Sequence, residues 1–281
     1  MNSKNLPFLK WPGGKRWLAH DIVRMIQPEL NGRYFEPFLG GGAVFFTLKP
    51  DRAVLSDING DLINTYVQVR SHYKRLIEEI RKRPINAEEY NRIRARRLLN
   101  PLKRAADFLY LNRTAWGGMY RVNSEGKFNV PFGGGERTPN ILWERGLLAS
   151  AAESLKNSQI AHCDFEDTLK YCGAGDVAFC DPTYTVAHDQ NGFVRYNENN
   201  FSWEDQIRLA RACSQAVNRG AYILVSNAHH ESLRYLYRGA GVRIFTRNGA
   251  VSTIVEKRGR VKEHLFILSK KARLLNAVHI L

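Results

Sequence analysis

The sequence lacks the features that mark several large classes of protein. No apolar run reaches the length of a membrane-spanning helix and no signal-peptide pattern opens the chain, so we expect a cytoplasmic protein. The four cysteines form neither a CxxC pair nor a zinc-ligand spacing, which favours reduced, mostly buried thiols and no metal centre. No fixed-period repeat or low-complexity tract is present, which excludes a repeat array.

Acidic residues are scarce relative to basic ones. Asp and Glu number 27 against 42 Lys and Arg, which gives a formal net charge of +15. Such an excess favours a polyanionic partner, nucleic acid above all, or an anionic membrane surface. With 281 residues, 44% of them hydrophobic, the chain can form a large core in one or two domains.

Two glycine-rich segments are similar to nucleotide-binding motifs but lack their full spacing. Residues 8–15 read “FLKWPGGK”, and Arg16 stands where a P-loop requires Ser or Thr. Residues 36–42 read “EPFLGGG”, which is not the GxGxxG of dinucleotide-binding proteins and disfavours a nicotinamide-dependent oxidoreductase. Each segment lets the backbone approach a ligand closely, and a simple tight turn is the alternative for both.

Short apolar runs alternate with helical patterns along most of the chain. The segments “RYFEPF” and “AVLSDI” are predicted strands on either side of a helix that begins in “GGGAVFFTL”, which is the pattern of a βαβ unit. Two later apolar runs, “DVAFCDPTY” and “AYILVSN”, end in polar residues, as strands buried on both faces of a parallel sheet do. “VRIFTR” and “EHLFIL” are predicted to close the sheet. The predicted fold class is α/β with a mostly parallel sheet.

The middle of the chain has a different character. Residues 65–112 have mostly helical patterns and are dense in arginine. They are followed by “NRTAWGGMYRVNSEGKFNVPFGGGER”, whose polar and apolar residues alternate around a turn at Ser124-Glu125-Gly126, which predicts a hairpin. We therefore predict an inserted basic domain over residues 62–147, with residues 1–61 and 148–281 forming the other domain.

Acidic residues stand at the ends of two predicted strands. Asp57 ends the second strand, where a carboxylate can accept hydrogen bonds from ribose hydroxyls; a helix N-cap is the alternative. “DPTY”, residues 181–184, follows the strand “VAFC”. The Asp181 carboxylate and the Pro182 carbonyl can accept both protons of a flat exocyclic amine while Tyr184 stacks on its ring; an ordinary turn is the alternative.

Taken in order, these motifs closely resemble those of the Dam-type (D12 class) DNA adenine-N6 methyltransferases, from about Phe8 to Ile267. The resemblance implies a Rossmann-like, S-adenosylmethionine-dependent methyltransferase domain with an inserted helical and β-hairpin target-recognition domain. It implies a site-specific enzyme, bacterial or phage-encoded, of the kind found in DNA methylation and restriction–modification. Its partner would be double-stranded DNA, and no metal or obligate protein partner is expected.

The resemblance also implies the residues that would contact the cofactor and perform the reaction. Asp181, Pro182 and Tyr184 would act on an adenine flipped out of the duplex. The cofactor contacts implied are Trp11, Gly13, Lys15, Glu36, Phe38, Gly40, Asp57, Ile58, Asp164, Phe165 and Asp181.

DNA recognition would divide between phosphate and base contacts. Arg121 matches the guanine reader of the family, with a phosphate contact as the alternative, and Trp116 would be a wedge in the base stack unless it is a core residue. The arginines of 92–104 and Arg113 suit phosphates, with a solvated helix face as the alternative. The DNA contacts implied are Lys10, Arg113, Trp116, Met119, Arg121, Asn123, Asn129 and Pro131. Of these, Lys10, Met119, Arg121 and Pro131 match the positions that read GATC in the family, so the resemblance implies methylation within GATC.

One departure from the family pattern concerns the catalytic motif. The usual sequence is Asp-Pro-Pro-Tyr, and Thr183 replaces the second proline here. Three alternatives remain open at this point: a cytosine-N4 methyltransferase, a methyltransferase of another amine, and a catalytically weak DNA-binding member of the fold. The leading Asp and the intact hairpin motif favour adenine in DNA.

Overall fold

The structure is a computed structural model that describes residues 7–123, 126–135, 138–184, 201–248 and 260–271. These residues form ten α-helices and a seven-stranded, mostly parallel sheet, so the predicted α/β class is confirmed. The strands are Tyr34–Glu36 (β1), Ala53–Asp57 (β2), Ser158–His162 (β3), Val177–Cys180 (β4), Tyr222–Ala228 (β5), Gly241–Asn248 (β6) and Arg260–Leu268 (β7). The helices are Ala19–Ile26 (α1), Ala43–Leu48 (α2), Gly60–Arg81 (α3), Ala87–Ala95 (α4), Pro101–Thr114 (α5), Ile141–Glu144 (α6), Leu147–Leu155 (α7), Phe165–Leu169 (α8), Trp203–Asn218 (α9) and Glu231–Leu236 (α10).

The chain forms two compact units. The first comprises the described residues of Met1–Gln27 and Leu39–His162, and the second those of Pro28–Phe38 and Cys163–Leu281. The division into a catalytic domain and an inserted domain at 62–147 stays a prediction.

The first unit holds the parallel pair β2–β3, whose register runs from Ala53 opposite Ser158 to Asp57 opposite His162. Three of its helices, α3, α4 and α5, begin at asparagine N-caps, because an Asn side chain satisfies backbone N–H groups that the first helical turn leaves unpaired. Asn59 accepts hydrogen bonds from the N–H groups at the start of α3. The caps of the two helices that follow are Asn86 and Asn100.

A buried carboxylate joins the arginine-rich helices of this unit. Asp107 on α5 accepts hydrogen bonds from Arg83 at 2.9 Å and from Arg96 at 2.9 and 2.8 Å. The side chains of Arg83 and Asp107 are only 6% and 10% exposed. Part of the arginine density therefore stabilises the fold, because a buried charge needs a partner of opposite sign.

The segment after α5 is only partly the predicted hairpin. Two antiparallel bridges pair Ala115 with Phe132 and Val122 with Phe128. Continuous strands do not form there among the described residues, and the predicted turn residues Ser124 and Glu125 lie outside them. The segment is held by packing instead: Met119, Phe128 and Phe132 lie against a buried cluster that comprises Tyr90, Ile93, Tyr110, Leu111, Ala115 and Val130.

The second unit contains the other five strands, in the order β1-β4-β5-β7-β6. Pairs β1–β4 and β4–β5 are parallel, and pairs β5–β7 and β7–β6 are antiparallel. All four residues of β4 are buried, as the unbroken apolar run predicted. Helix α9 begins with a capping box, in which Ser202 and Asp205 each accept from the other's backbone N–H.

The cysteines and helices agree with the composition. The four cysteines are free thiols, and Cys172, Cys180 and Cys213 are buried. Burial raises the pKa of the Cys172 thiol to about 12, so this thiol is unreactive at neutral pH. Among the described residues, no helix combines the length and apolar character that a membrane span requires.

The Asp107 ion pairs lead to a stability prediction. Asp107→Asn keeps the size of the side chain but leaves Arg83 buried without its counter-charge, so we expect a loss of about 3–5 kcal/mol in the free energy of unfolding. The matched control is Asp167→Asn, which breaks an exposed pair with Lys170 and should cost at most about 1 kcal/mol. Urea unfolding of both variants measures the difference. Equal losses would show that Asp107 has no special part in the fold.

Candidate functional site

In the first unit, the N-terminal glycine segment packs on the second glycine cluster. A side chain at Gly40 would lie 2.8 Å from the indole ring of Trp11, and a Cβ at Gly41 would lie 3.0 Å from Trp11 Cβ. Gly40 also has a φ of +46°, which disfavours any other residue. The structure shows that the absence of side chains at Gly40 and Gly41 makes room for Trp11, and their predicted approach to a ligand stays a prediction.

Trp11 in turn packs on the predicted DNA-reading segment. Its ring stacks on that of Tyr120, with centroids 4.7 Å apart and planes 19° from parallel. The centroid of the Phe108 ring lies 6.5 Å from that of Trp11. The hydroxyl of Tyr120 accepts a hydrogen bond from Asn59 at 3.0 Å. Trp11 is therefore part of a packed aromatic group, and its predicted cofactor contact would use the part of the ring that this group leaves uncovered.

Lys10, a predicted DNA contact, is fixed through its backbone. Its N–H donates to Asn112 Oδ1 at 3.0 Å, and its carbonyl accepts from Asn112 Nδ2 at 2.7 Å. Its side chain passes over Gly118, where an added Cβ would lie 2.3 Å from Lys10 Cδ. This position brings Lys10 next to the segment that holds the other predicted base readers.

The Asp57 carboxylate lies at the end of β2 and organises the glycine turn. It accepts hydrogen bonds from the N–H groups of Gly40 at 2.9 Å and Asn59 at 3.0 Å. Burial raises the pKa of Asp57, and these backbone hydrogen bonds oppose the shift. Because Asn59 provides the N-cap of α3, the alternative that Asp57 is that cap is wrong.

Three other predicted cofactor contacts of this unit differ in exposure. Lys15 is buried, and its Nζ donates to the carbonyl of Gly13 at 3.2 Å. Gly13 is exposed and has a φ of +72°. Ile58 is 69% exposed, and its carbonyl contacts His162 Nε2 at 2.9 Å. Its exposed side chain suits a contact with a flat ring.

In the second unit, two of the predicted cofactor contacts are aromatic rings. Phe38 stacks on Phe165 with centroids 5.4 Å apart, and Phe201 contacts both rings. The guanidinium of Arg208 lies 4.9 Å from the Phe165 ring centroid. The two predicted cofactor contacts Phe38 and Phe165 are therefore brought together.

Two of the three predicted acidic cofactor contacts of this unit, Glu36 and Asp164, have protein partners away from the catalytic loop. Asp164 is the N-cap of α8 and accepts from Arg208 at 3.0 Å. Hydrogen bonds to Glu166 and other carboxylates raise the pKa of Arg208 further above its ordinary value, so its charge is permanent. Glu36 is buried and accepts from the Tyr34 hydroxyl at 2.7 Å.

The predicted catalytic residues follow β4 directly. Asp181 is half-buried, and its Oδ1 accepts a short hydrogen bond from the Ser226 hydroxyl. Pro182 is buried, and Thr183 is exposed. The Tyr184 hydroxyl donates to Glu263 Oε2 at 2.9 Å. The replacement of proline by Thr183 thus falls on the exposed side of the loop.

The predicted guanine reader is oriented by another predicted DNA contact. Arg121 Nε donates to Asn129 Oδ1 at 2.8 Å, and the Asn129 N–H donates to the Arg121 carbonyl at 3.1 Å. With Nε held, the two terminal nitrogens of the exposed guanidinium remain as the fork that matches guanine O6 and N7. The Asn123 side chain accepts from the Lys127 N–H at 2.9 Å, which joins the residues that adjoin the Val122–Phe128 bridge.

The remaining predicted base contacts lie at the surface of the same segment. Trp116 is 54% exposed, so the alternative of a core tryptophan is wrong. Pro131 is exposed, and its carbonyl accepts from the Trp116 N–H at 2.9 Å. Met119 is half-buried against the cluster described above.

Arg113 does not fit its predicted phosphate contact. It is 6% exposed, and its guanidinium donates a short hydrogen bond to the Phe8 carbonyl. Burial lowers the pKa of Arg113 to about 10, with a smaller contribution from the charge of Arg16. The sequence suggested a surface residue because arginine is rarely buried, but here it fixes the N-terminal segment to α5.

Four of the five arginines of 92–104 have partners within the protein, which neither alternative predicted. Arg92, Arg96 and Arg104 form ion pairs with carboxylates, and Arg94 donates to the Val130 carbonyl. Arg97 is exposed and remains the clearest candidate for a phosphate contact.

Comparison with known proteins identifies the family. The family model described as D12 class N6 adenine-specific DNA methyltransferase matches residues 11–252. The chain belongs to this family. The resemblance found in the sequence motifs is therefore confirmed, and the chain is a member of a family of DNA adenine methyltransferases with an α/β fold.

Relatives of similar length support this membership. Type II methyltransferase M1.LlaDCHI of Lactococcus lactis subsp. cremoris is 37% identical over 276 residues, which cover 93% of this chain and 95% of the relative. Type II methyltransferase M.MjaIII of Methanocaldococcus jannaschii is 35% identical over 260 residues, or 84% and 89% of the two chains. The DNA adenine methylase of Escherichia coli (strain K12) is 32% identical over 268 residues, or 93% and 95%.

Sequence reasoning missed several residues that hold the predicted ones in place. Ser226 had a detectable signal, since it stands where an apolar strand becomes polar, as Asp57 and Asp181 do. Asn59 had one too, because asparagine at the start of a helix is a typical N-cap. The others gave no signal because their contacts join segments far apart in sequence. The missed residues are Asn59, Phe108, Asn112, Tyr120, Arg208, Ser226 and Glu263.

The position of Arg113 leads to a prediction about DNA binding. Arg97→Gln should reduce the slope of log affinity against log salt by about 0.9 for non-cognate duplex, because one phosphate contact is lost. Arg113→Gln, which keeps a donor for the Phe8 carbonyl, should leave the slope unchanged. Fluorescence anisotropy over a salt series measures both. A smaller slope for the Arg113 variant would show that this side chain leaves its buried position to contact DNA.

Proposed function

We propose that the chain transfers a methyl group from S-adenosylmethionine to N6 of an adenine flipped out of double-stranded DNA, within GATC. The observation that carries the proposal is the loop Asp181–Tyr184, which places a half-buried carboxylate and a buried proline directly after a buried parallel strand. The ends of such strands are where open α/β sheets bind their ligands.

The chemistry of the loop suits a primary amine attached to a flat ring. An ionised Asp181 carboxylate and the Pro182 carbonyl can only accept hydrogen bonds, and proline has no N–H group. Together they would bind both N6 protons. A carboxylate oxygen accepts more than one hydrogen bond, so Asp181 can bind the amine while it accepts from Ser226. The negative charge of Asp181 would also stabilise positive charge that develops on the nitrogen.

The residues present fit S-adenosylmethionine as the cofactor, which supplies an activated methyl group when bound. In the first unit, the buried Asp57 carboxylate would bind ribose hydroxyls, because its oxygens keep acceptor capacity beside the two backbone N–H groups. In the second unit, Phe38 and Phe165 offer apolar ring faces and Asp164 offers an acceptor for an exocyclic amine. These assignments follow the family resemblance, which supports the proposal.

Specificity for GATC is proposed from the reading segment of the first unit. Lys10, Met119, Arg121 and Pro131 match the positions that read this sequence in Dam-type enzymes, and Asn129 orients the guanidinium of Arg121. Because GATC is palindromic, both strands would be methylated. The exposed Trp116 would fill the gap that the flipped adenine leaves in the base stack.

Asp181→Ala tests the proposed reaction. Removal of the amine acceptor should reduce methyl transfer by more than about 100-fold, since general acid–base and electrostatic groups typically contribute 10²–10⁴-fold. DNA affinity should persist, because the basic surface supplies it. Quench-flow measurement of adenine methylation and anisotropy of DNA binding separate the two effects. Substantial turnover by this variant would contradict the role of Asp181.

Arg121→Lys tests the proposed specificity, because lysine keeps the charge but cannot form a bidentate fork. We expect a loss of about 1–3 kcal/mol of discrimination at one guanine–cytosine pair, with affinity for non-cognate DNA little changed. The measurement is the ratio of methylation rates on GATC and on singly substituted duplexes at one salt concentration. If the ratio does not fall, Arg121 contacts a phosphate. If wild-type protein prefers another sequence, the GATC proposal is wrong.

A further inference from the structure

Two buried polar side chains of the second unit contact the loop Asp181–Tyr184 from strands β5 and β7. Ser226 on β5 is 0% exposed and donates to Asp181 Oδ1. Glu263 on β7 is 1% exposed and accepts from the Tyr184 hydroxyl. Polar groups in such positions destabilise a core unless their hydrogen bonds are made, so core packing does not explain them.

The strand register places the two side chains on one face. Strands β5 and β7 are antiparallel, with Ser226 opposite Leu265 and Ala228 opposite Glu263. Side chains two residues apart on a strand point to the same face, and directly opposed residues share that face. Ser226 and Glu263 are therefore diagonal neighbours, one for each end of the loop.

Each contact fixes the part of the loop that the reaction uses. A hydrogen bond from the Ser226 hydroxyl to one oxygen of Asp181 sets the rotation of the carboxylate, and with it the direction of the acceptor lone pairs. The bond from Tyr184 to Glu263 sets the plane of the tyrosine ring, which the stacked base must match. Thr183, in place of a rigid proline, makes external support of this loop more important.

We propose that Ser226 and Glu263 are positioning residues for methyl transfer: Ser226 orients the Asp181 carboxylate toward the target amine, and Glu263 orients the ring of Tyr184. The proposal rests on the proposed function of the loop. Neither residue contacts the substrate, and their effect passes through Asp181 and Tyr184.

The first test replaces Ser226. Ser226→Ala should lower the single-turnover rate constant of adenine methylation at least about 10-fold, because a hydrogen bond to a charged group is lost, while the dissociation constants for DNA and S-adenosylmethionine change less than about 2-fold. Ser226→Thr restores the hydroxyl and should recover most of the rate. The control is Ser158→Ala, a buried strand serine to which we assign no part in the reaction. It should retain the wild-type rate constant.

The second test uses a double-mutant cycle. Tyr184→Phe keeps the stacking ring and removes its hydroxyl, and Glu263→Gln keeps the size of the carboxylate side chain and removes its charge. If Glu263 acts through that hydroxyl, the rate constant of the double variant should lie within about 2-fold of that of the slower single variant. Multiplicative losses would show that Glu263 acts on the rate by another route and would overturn its assignment.

The outcomes separate this inference from the proposed function. An active wild-type protein with an equally active Ser226→Ala variant overturns the role of Ser226 alone. Losses in Ser226→Ala that Ser226→Thr does not recover, or that appear in melting temperature and in cofactor affinity as well, indicate a structural role and also overturn it. A wild-type protein that methylates no adenine overturns the proposed function and, with it, this inference.

Discussion

The packing of Trp11 against the glycine turn and Tyr120 is the interaction on which the arrangement of the first unit depends. The Trp11 ring lies on Gly40 and Gly41 on one side and is stacked on Tyr120 on another. Such aromatic pairs contribute about 0.5–1.5 kcal/mol beyond the area they bury, and they fix orientation as well as distance. The glycine turn, the N-terminal segment and the predicted DNA-reading segment are thereby parts of one packed structure. Nothing larger than glycine at position 40 would permit it.

Buried or half-buried carboxylates have a similar role throughout the molecule. Asp57 is fixed by two backbone N–H groups, Asp107 by two arginines and Asp181 by a serine. Since an unpaired charge in such a position is costly, each carboxylate fixes the residues that donate to it. Aspartate therefore stabilises the fold at position 107, whereas we propose that it binds the cofactor at position 57 and the target amine at position 181.

The apolar runs predicted six of the seven strands and their polar ends, but not β3, whose residues are mostly exposed or half-buried and give no apolar run. The run before Asp181 is an example, and so is the βαβ pattern around Gly40. Contacts between distant segments were not predictable, since no local pattern links Trp11 with Tyr120. Arg113 was predicted to lie at the surface because most arginines do. The sequence gives no sign that its guanidinium binds the backbone carbonyl of Phe8. The segment around Met119 was overread as a full hairpin, since packing on a cluster rather than strand pairing holds it.

The central claim is that this fold delivers a methyl group to the exocyclic amine of adenine in DNA. The most direct measurement incubates the purified protein with plasmid DNA and S-adenosylmethionine that carries a deuterated methyl group, digests the DNA to nucleosides and identifies the labelled nucleoside by mass spectrometry. The account predicts that the label is found in N6-methyldeoxyadenosine. Label in N4-methyldeoxycytidine, or in no nucleoside while the protein still binds the DNA, would contradict it.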